Sequence, residues 1–218
     1  MFETIATLFH RGGPLVMSSI FLVLVISAAI VIERCYRYWM QYDLSNTEGF
    51  MTAVQKMIMN NSIENAIRLC QKARPKLLPY VISEVLKRAN DTVEEMELAT
   101  EQASLTVVPK VNKMISTLGT MANVATLLGL LGTIFGLMKS FGAAATATGA
   151  QKQSILAEGI AEALTATSFG LGTALLCILT HGLLSIKQQS ILAKITENSA
   201  KMIDVLYTRK LKIDSSKK

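Results

Sequence analysis

Thr126, Thr133, Thr167 and Glu162 are polar residues set in stretches otherwise suited to lipid, and the chemistry open to them there is the passage of a proton or small cation. A carboxylate inside a membrane span costs several kcal/mol unless it is paired or hydrated, so Glu162 is a functional candidate if it lies in the hydrocarbon. At a wet interface the same residue is cheap, and its position at the start of its span leaves both readings open. Threonine hydroxyls either bond back to their own helix or face a narrow wet path.

Spacing adds a pattern. At about 100° per residue, Gly119, Ala122, Thr126, Gly129, Thr133, Gly136 and Ser140 share an arc of roughly 100°. Val124, Leu127, Leu131, Ile134, Phe135 and Met138 cover the other side. Small faces let helices approach closely, as Gly132-x-x-x-Gly136 does, which accounts for the glycines and less fully for the threonines. Further on, Glu158, Glu162, Thr165, Thr173 and Thr180 share one side of a helix, while Ala163, Thr167, Gly170 and Ala174 share another. Thr167 lies roughly 140° around from Glu162, so one protomer does not place both on a narrow surface.

No phosphate-binding Gly-x-x-x-x-Gly-Lys-Ser/Thr loop, Gly-x-Ser-x-Gly elbow or His-Glu-x-x-His helix is present, so no enzymatic activity is expected. Asp43, Asp91, Asp204 and Asp214 all fall outside the apolar runs, which argues against an intramembrane aspartyl protease. It also leaves Glu162 as the one span carboxylate suited to a relay, so a second subunit is expected to supply the proton carrier. Cys35, Cys70 and Cys177 are scattered and His10 and His181 lie far apart, so neither a metal site nor a cofactor is expected.

The elements that position these residues are legible from charge. Half of the 218 residues are hydrophobic and 17% are charged, below the roughly 25% of an average soluble domain. Three runs, Gly12–Ile32, Met114–Met138 and Ala163–Ile186, carry no Asp, Glu, Lys or Arg, and each is long enough to cross a bilayer as a helix. The first exceeds the apolar core of a signal peptide, despite Arg11 before it and Ser27-Ala28-Ala29 within it. Lys and Arg number one before the first run, eleven between the first and second, two between the second and third, and eight after the third. Positive flanks stay in the cytoplasm, so the N-terminus is expected outside and Arg34, Arg37 and Trp39 are expected to anchor the cytoplasmic interface. The same bias explains a pI near 9.3 without nucleic acid, with adhesion to anionic lipid as a secondary gain.

The expected organisation is all-α: an external N-terminus over 1–11, spans over 12–32, 116–142 and 159–186, a cytoplasmic helical region over 33–115, an external loop over 143–158 and a helical cytoplasmic extension over 187–218. Within 33–115, Phe50, Val54, Met57 and Ile58 mark one amphipathic helix and Ile63, Ala66, Ile67 and Cys70 another, with Asn61-Ser62 as a cap. Pro75 and Pro79 are expected to interrupt the chain beyond the second of these. A long helix should start at Asp91 or Thr92, and Pro109 should bend or break it. Ile191, Ile195, Met202 and Leu206 keep helical spacing beyond the third span.

Gly129-Leu130-Leu131-Gly132-Thr133 and Gly159-Ile160-Ala161-Glu162-Ala163-Leu164-Thr165-Ala166-Thr167 resemble the second and third spans of the ExbB/TolQ/MotA family. The motifs occupy about 40 residues, and the topology agrees along the whole chain. The resemblance implies a homopentamer around a dimer of an ExbD/TolR/MotB-like partner, each with one membrane helix bearing a protonatable aspartate. It would put Thr133 and Thr167 on the pore surface facing that aspartate and Glu162 near the external entrance; Thr126, Gly129, Gly132, Gly136, Ser140, Gly170 and Ala174 are expected to form a pore-facing small-residue stripe that also packs the helices. Proton flow would then drive the partner and do work in the envelope. Three spans rather than four favour the ExbB/TolQ branch. A solute transporter working alone and a membrane-anchored scaffold are the competing classes, and the transporter lacks inverted repeats.

Overall fold

The computed structural model describes residues 13–44, 46–73 and 75–216, and the expected external N-terminus with His10 and Arg11 lies outside them, as does Gly12. It is 90% helical, with no strand among the described residues. Helix α1 spans Pro14–Tyr36 and continues as a π-helical turn, Arg37–Tyr42. Then come α2 (Thr47–Met59), α3 (Ile63–Lys72), α4 (Leu77–Lys87), α5 (Val93–Asn112), α6 (Ile115–Thr146) and α7 (Gly149–Ser216). Three helical stretches, containing α1, α6 and α7, are long and apolar enough to cross a membrane. The described chain divides into two compact units: residues up to Glu33 with Met114–Leu184, and Arg34–Lys113 with residues from Ser185 on.

The first unit holds α1, α6 and the first half of α7. Its outward face carries many large apolar side chains, with Leu15 84% and Ile32 71% exposed, as lipid-facing positions require. A loop was expected over 143–158, but helix occupies all of that range except Ala147 and Thr148. Alanine is the strongest helix former, so the Ala-rich residues extend α6, and Gly149, at φ +53°, supplies the reversal into α7.

In the second unit α2 packs on α3, α3 on α4 and α4 on α5. The core is apolar, including Val54, Ile58, Val81, Ile82, Met96 and Val107, and the regularly spaced Ile191, Ile195, Met202 and Leu206 of α7 are all buried. Of the expected α2 and α3 faces, Val54, Ile58, Ala66 and Cys70 are buried, while Phe50, Met57, Ile63 and Ile67 are half-buried. Ser62 takes the N-cap position of α3 without a side-chain cap; its hydroxyl donates to Asn60 O instead. Thr92 caps α5 with a full capping box: its hydroxyl accepts from Glu95 N–H at 3.3 Å while Glu95 accepts from Thr92 N–H at 3.0 Å.

Of the prolines expected to interrupt helices, Pro75 lies between α3 and α4, while the other two are accommodated within helices. Pro79 is the third residue of α4, where the missing N–H has no intrahelical partner to lose. Pro109 sits inside α5, and the helix ends three residues later, at Asn112. There Lys113 turns to extended backbone and Met114 adopts the left-handed conformation at φ +61°, rare for a residue with a long side chain.

Candidate functional site

The termination of α5 explains the basic aromatic cluster. The last carbonyls of a helix have no intrahelical partner. Here the buried Tyr38 hydroxyl donates to Val111 O at 2.6 Å and the Arg34 guanidinium to Lys110 O at 3.4 Å. Burial pushes the Tyr38 phenol up to about 12, partly offset by Arg34, so it remains a donor at any physiological pH. Gln188 donates to Asn112 Oδ1 at 2.5 Å. Arg34, expected at the membrane interface, is wholly buried among these groups. Arg37 donates to the Tyr42 hydroxyl at 3.4 Å, and Trp39, 55% exposed, has Lys187 over its ring at 5.5 Å. Next to them Asp43 receives Lys187 at 2.5 Å and Lys194 at 3.1 Å. Burial raises the Asp43 carboxyl, but the two lysine hydrogen bonds more than offset it and hold it below the ordinary carboxylate range. Cys70 is likewise a core residue, its thiol pushed up to about 12 by burial.

In the first unit the small residues set the distance between helices. The buried stripe of α6 runs through Leu118, Ala122, Ala125, Gly129, Gly132, Gly136 and Ser140. Gly129 meets Gly170 and Thr167, Gly136 meets Ala163, and Ser140 meets Gly159, so α7 returns antiparallel along α6. A Cβ on Gly170 would stand 2.7 Å from Ala125 O and 2.9 Å from Gly129 Cα, closer than real Cβ atoms come. Gly129, Gly132, Gly136, Ser140, Gly170 and Ala174 are therefore all buried at contacts between helices, so they pack the helices rather than face a pore as expected.

The threonines behave differently. Thr126 is exposed and Thr133 half-buried, and on a helical wheel they lie about 40–60° to one side of the glycine stripe. Thr167 lies about 60° to one side of Gly170 on α7, and it donates across the helix pair to Gly129 O at 2.9 Å. For antiparallel neighbours these offsets fall on the same flank. Helix α1 covers the opposite flank: Val16 approaches Gly132, and Val23 packs with Ala122, Ala125, Ala174 and Cys177. The structure thus brings Thr126, Thr133 and Thr167 together on the side of the α6–α7 pair turned away from α1.

Glu162 is not with them. It sits on the α1 flank, 3.6 Å from Lys139 Nζ and next to Gly13, at a cleft of about 320 Å³ also lined by Pro14, Leu15, Val16, Gly132, Phe135 and Gly136. The ammonium is 76% exposed and the carboxylate 22%, so the pair is open to solvent or headgroups on the lysine side. The hydroxyls of Thr126, Thr133, Ser140, Thr165, Ser168 and Thr180 bond back to carbonyls of their own helices. The wheel anticipated the separation of Glu162 from Thr167. It did not reveal Lys139 as the partner, because that pairing depends on the length of the α6–α7 turn.

Three apolar spans and an antiparallel helix pair locked by glycines define a helical, multi-pass membrane protein. The model of the MotA/TolQ/ExbB proton channel family matches residues 73–197. An ExbB-like biopolymer transport protein of Synechocystis is 34% identical over 157 residues, which are 71% of this chain and 72% of that protein. An ExbB homologue of Methanothermobacter thermautotrophicus is 27% identical over 176 residues, 80% of this chain and 61% of its own length. The TolQ protein of the Tol-Pal system of Haemophilus influenzae is 40% identical over 74 residues, 34% of this chain and 32% of that protein. The chain belongs to the MotA/TolQ/ExbB proton channel family. That family comprises channel and transport proteins that work with ExbD/TolR-like partners.

Proposed function

We propose that this chain is the channel-forming subunit of a motor driven by the proton-motive force in the cytoplasmic membrane. Five copies surround a dimer of a single-span ExbD/TolR-like partner whose membrane aspartate carries the proton. The N-terminus and the α6–α7 turn face outward, and the unit containing Arg34–Lys113 is cytoplasmic. Thr133 and Thr167 line the path, and Glu162 with Lys139 stands near the outer end of the α6–α7 pair, on the α1 flank and beside the external entrance rather than in the path. Proton passage moves the partner and so does work in the envelope, such as import across the outer membrane, envelope maintenance, motility or secretion.

The observation that carries this reading is the shared flank of Thr133 and Thr167, joined through the Thr167 bond to Gly129 and left uncovered by α1. A face that served only to pack α1 would put its hydroxyls under that helix. Two measurements test the proposal. Native mass spectrometry of the complex from its own membrane should find five copies of this chain with two of a small single-span protein. Thr133→Val and Thr167→Val should leave that assembly intact and lower proton flux in membrane vesicles at least tenfold. Undiminished flux in both variants would refute the assigned path.

A further inference from the structure

Asn123 is exposed on α6, within the uncharged run Met114–Met138. It lies nine residues from Met114, about 13 Å along the helix axis, which is too deep for the headgroup region if that end is interfacial. Its amide has two donors and an acceptor. The hydroxyls of Thr126 and Thr133 bond back to their own helix, but Asn123 makes no hydrogen bond among the described residues. An amide with no partner is costly against hydrocarbon, so a polar occupant has to meet it.

The direction of Asn123 narrows the identity of that occupant. On the wheel it lies about 120° from Gly129, on the same side as Thr126 and Thr133 and away from the flank covered by α1. It stands ten residues, about 15 Å, from Thr133 toward the Lys113 end of α6. Near its level that flank also carries the exposed Thr126, whose hydroxyl is satisfied within its own helix, and the apolar Leu127 and Leu130 on α6 and Leu175 and Ile178 on α7. We propose that Asn123 forms a second polar ring in the assembled channel, below the threonines, and that its occupant is the water through which the proton leaves toward the cytoplasm. This inference rests on the reading of the Thr133 flank as the path, and adds to it a residue that sets the inner half of the route.

The test uses the whole complex in membrane vesicles, in a background with Cys35, Cys70 and Cys177 replaced. Asn123→Cys, Thr133→Cys and Leu131→Cys are each exposed to silver ions, small enough to follow water into a narrow path, and block of proton flux is timed. Leu131, about 200° from Gly129, serves as the off-path control. The expected result is block at Asn123→Cys at a rate within tenfold of Thr133→Cys, with Leu131→Cys unaffected. Block at Thr133→Cys alone would overturn the Asn123 ring and leave the path standing. Block at neither would overturn both, and block at all three would overturn the ring because the amide's flank would not be distinct. In parallel, Asn123→Leu, a change helix α6 tolerates, should lower flux at least tenfold while Asn123→Ser keeps it within threefold. Equal flux in the two variants would also overturn the ring.

Discussion

Replacing Gly170 by alanine probes the contact on which the α6–α7 pair depends. The new methyl would lie 2.7 Å from Ala125 O and 2.9 Å from Gly129 Cα, both backbone atoms that no side-chain rotation can remove. Ordinary carbon contacts need about 3.5–4.0 Å, so the helices must part by roughly 0.6–1 Å. That opening stretches the 2.9 Å bond from Thr167 to Gly129 O past useful length. Overpacking of this kind costs about 1–3 kcal/mol, and an interhelical bond in a membrane contributes about 0.6 kcal/mol. Against this, alanine gains up to about 1 kcal/mol of helix propensity over glycine. The balance is a loss of about 0.5–2.5 kcal/mol, or a fall in midpoint of roughly 1–10 °C. Gly172→Ala, two residues on and with nothing within 4 Å, should show only the propensity gain. Thermal unfolding of both variants in detergent, followed by intrinsic fluorescence, reads the difference. If Gly170→Ala and Gly172→Ala shift the midpoint by the same amount in the same direction, the close-packed interface is refuted.

Other expectations concern the second unit and the start of α6. Tyr38→Phe removes the hydroxyl that satisfies Val111 O and should destabilise by about 1–3 kcal/mol, seen as a lower denaturation midpoint with unchanged helix content. Asp43 has its carboxyl depressed by Lys187 and Lys194, so its stabilising contribution is present above the unfolded value and is lost as pH falls below roughly 4. The wild type should therefore lose stability in acid more steeply than Asp43→Asn, and parallel pH profiles would contradict the clamp. Met114→Gly relieves a left-handed backbone and should stabilise by up to about 1 kcal/mol, whereas Met114→Val should destabilise; chemical denaturation of the two variants reads both signs.

Periodicity and charge made the spans and their faces legible, because lipid-facing helices leave long uncharged runs and glycine stripes repeat with the helical turn. The same signals separated Glu162 from Thr167. Local chemistry also put the start of α5 at Asp91 or Thr92, and the structure assigns the cap to Thr92, with Glu95 three residues on. Features that no local pattern encodes depend on distant partners. Arg34 reads in sequence as a membrane anchor, yet it and Tyr38 lie about 75 residues from the α5 carbonyls they satisfy. Pro109 reads as the break in α5, but the chain leaves the helix only at Lys113–Met114, where those side chains compensate the lost backbone bonds. The pairing of Lys139 with Glu162 is hidden by the expected loop over 143–158, of which only Ala147 and Thr148 lie outside helix. Asn123 carries a signal visible in the sequence, a polar amide in an apolar run, but it stands outside the small-residue arc that defines the glycine face.

The back-bonded hydroxyls have a consequence for biogenesis. Thr126 and Thr133 each satisfy their donor on the carbonyl of their own preceding turn, and Thr167 satisfies its donor on Gly129 O of the neighbouring helix. A newly inserted protomer can therefore expose this flank to acyl chains while it waits for other copies, with no hydroxyl demanding water. On the proposed assembly, the same self-sufficiency would keep an unassembled copy from drawing a water file across the bilayer. Asn123 is the exception on that flank, and its unmet amide favours burying the flank in the finished complex over leaving it in lipid.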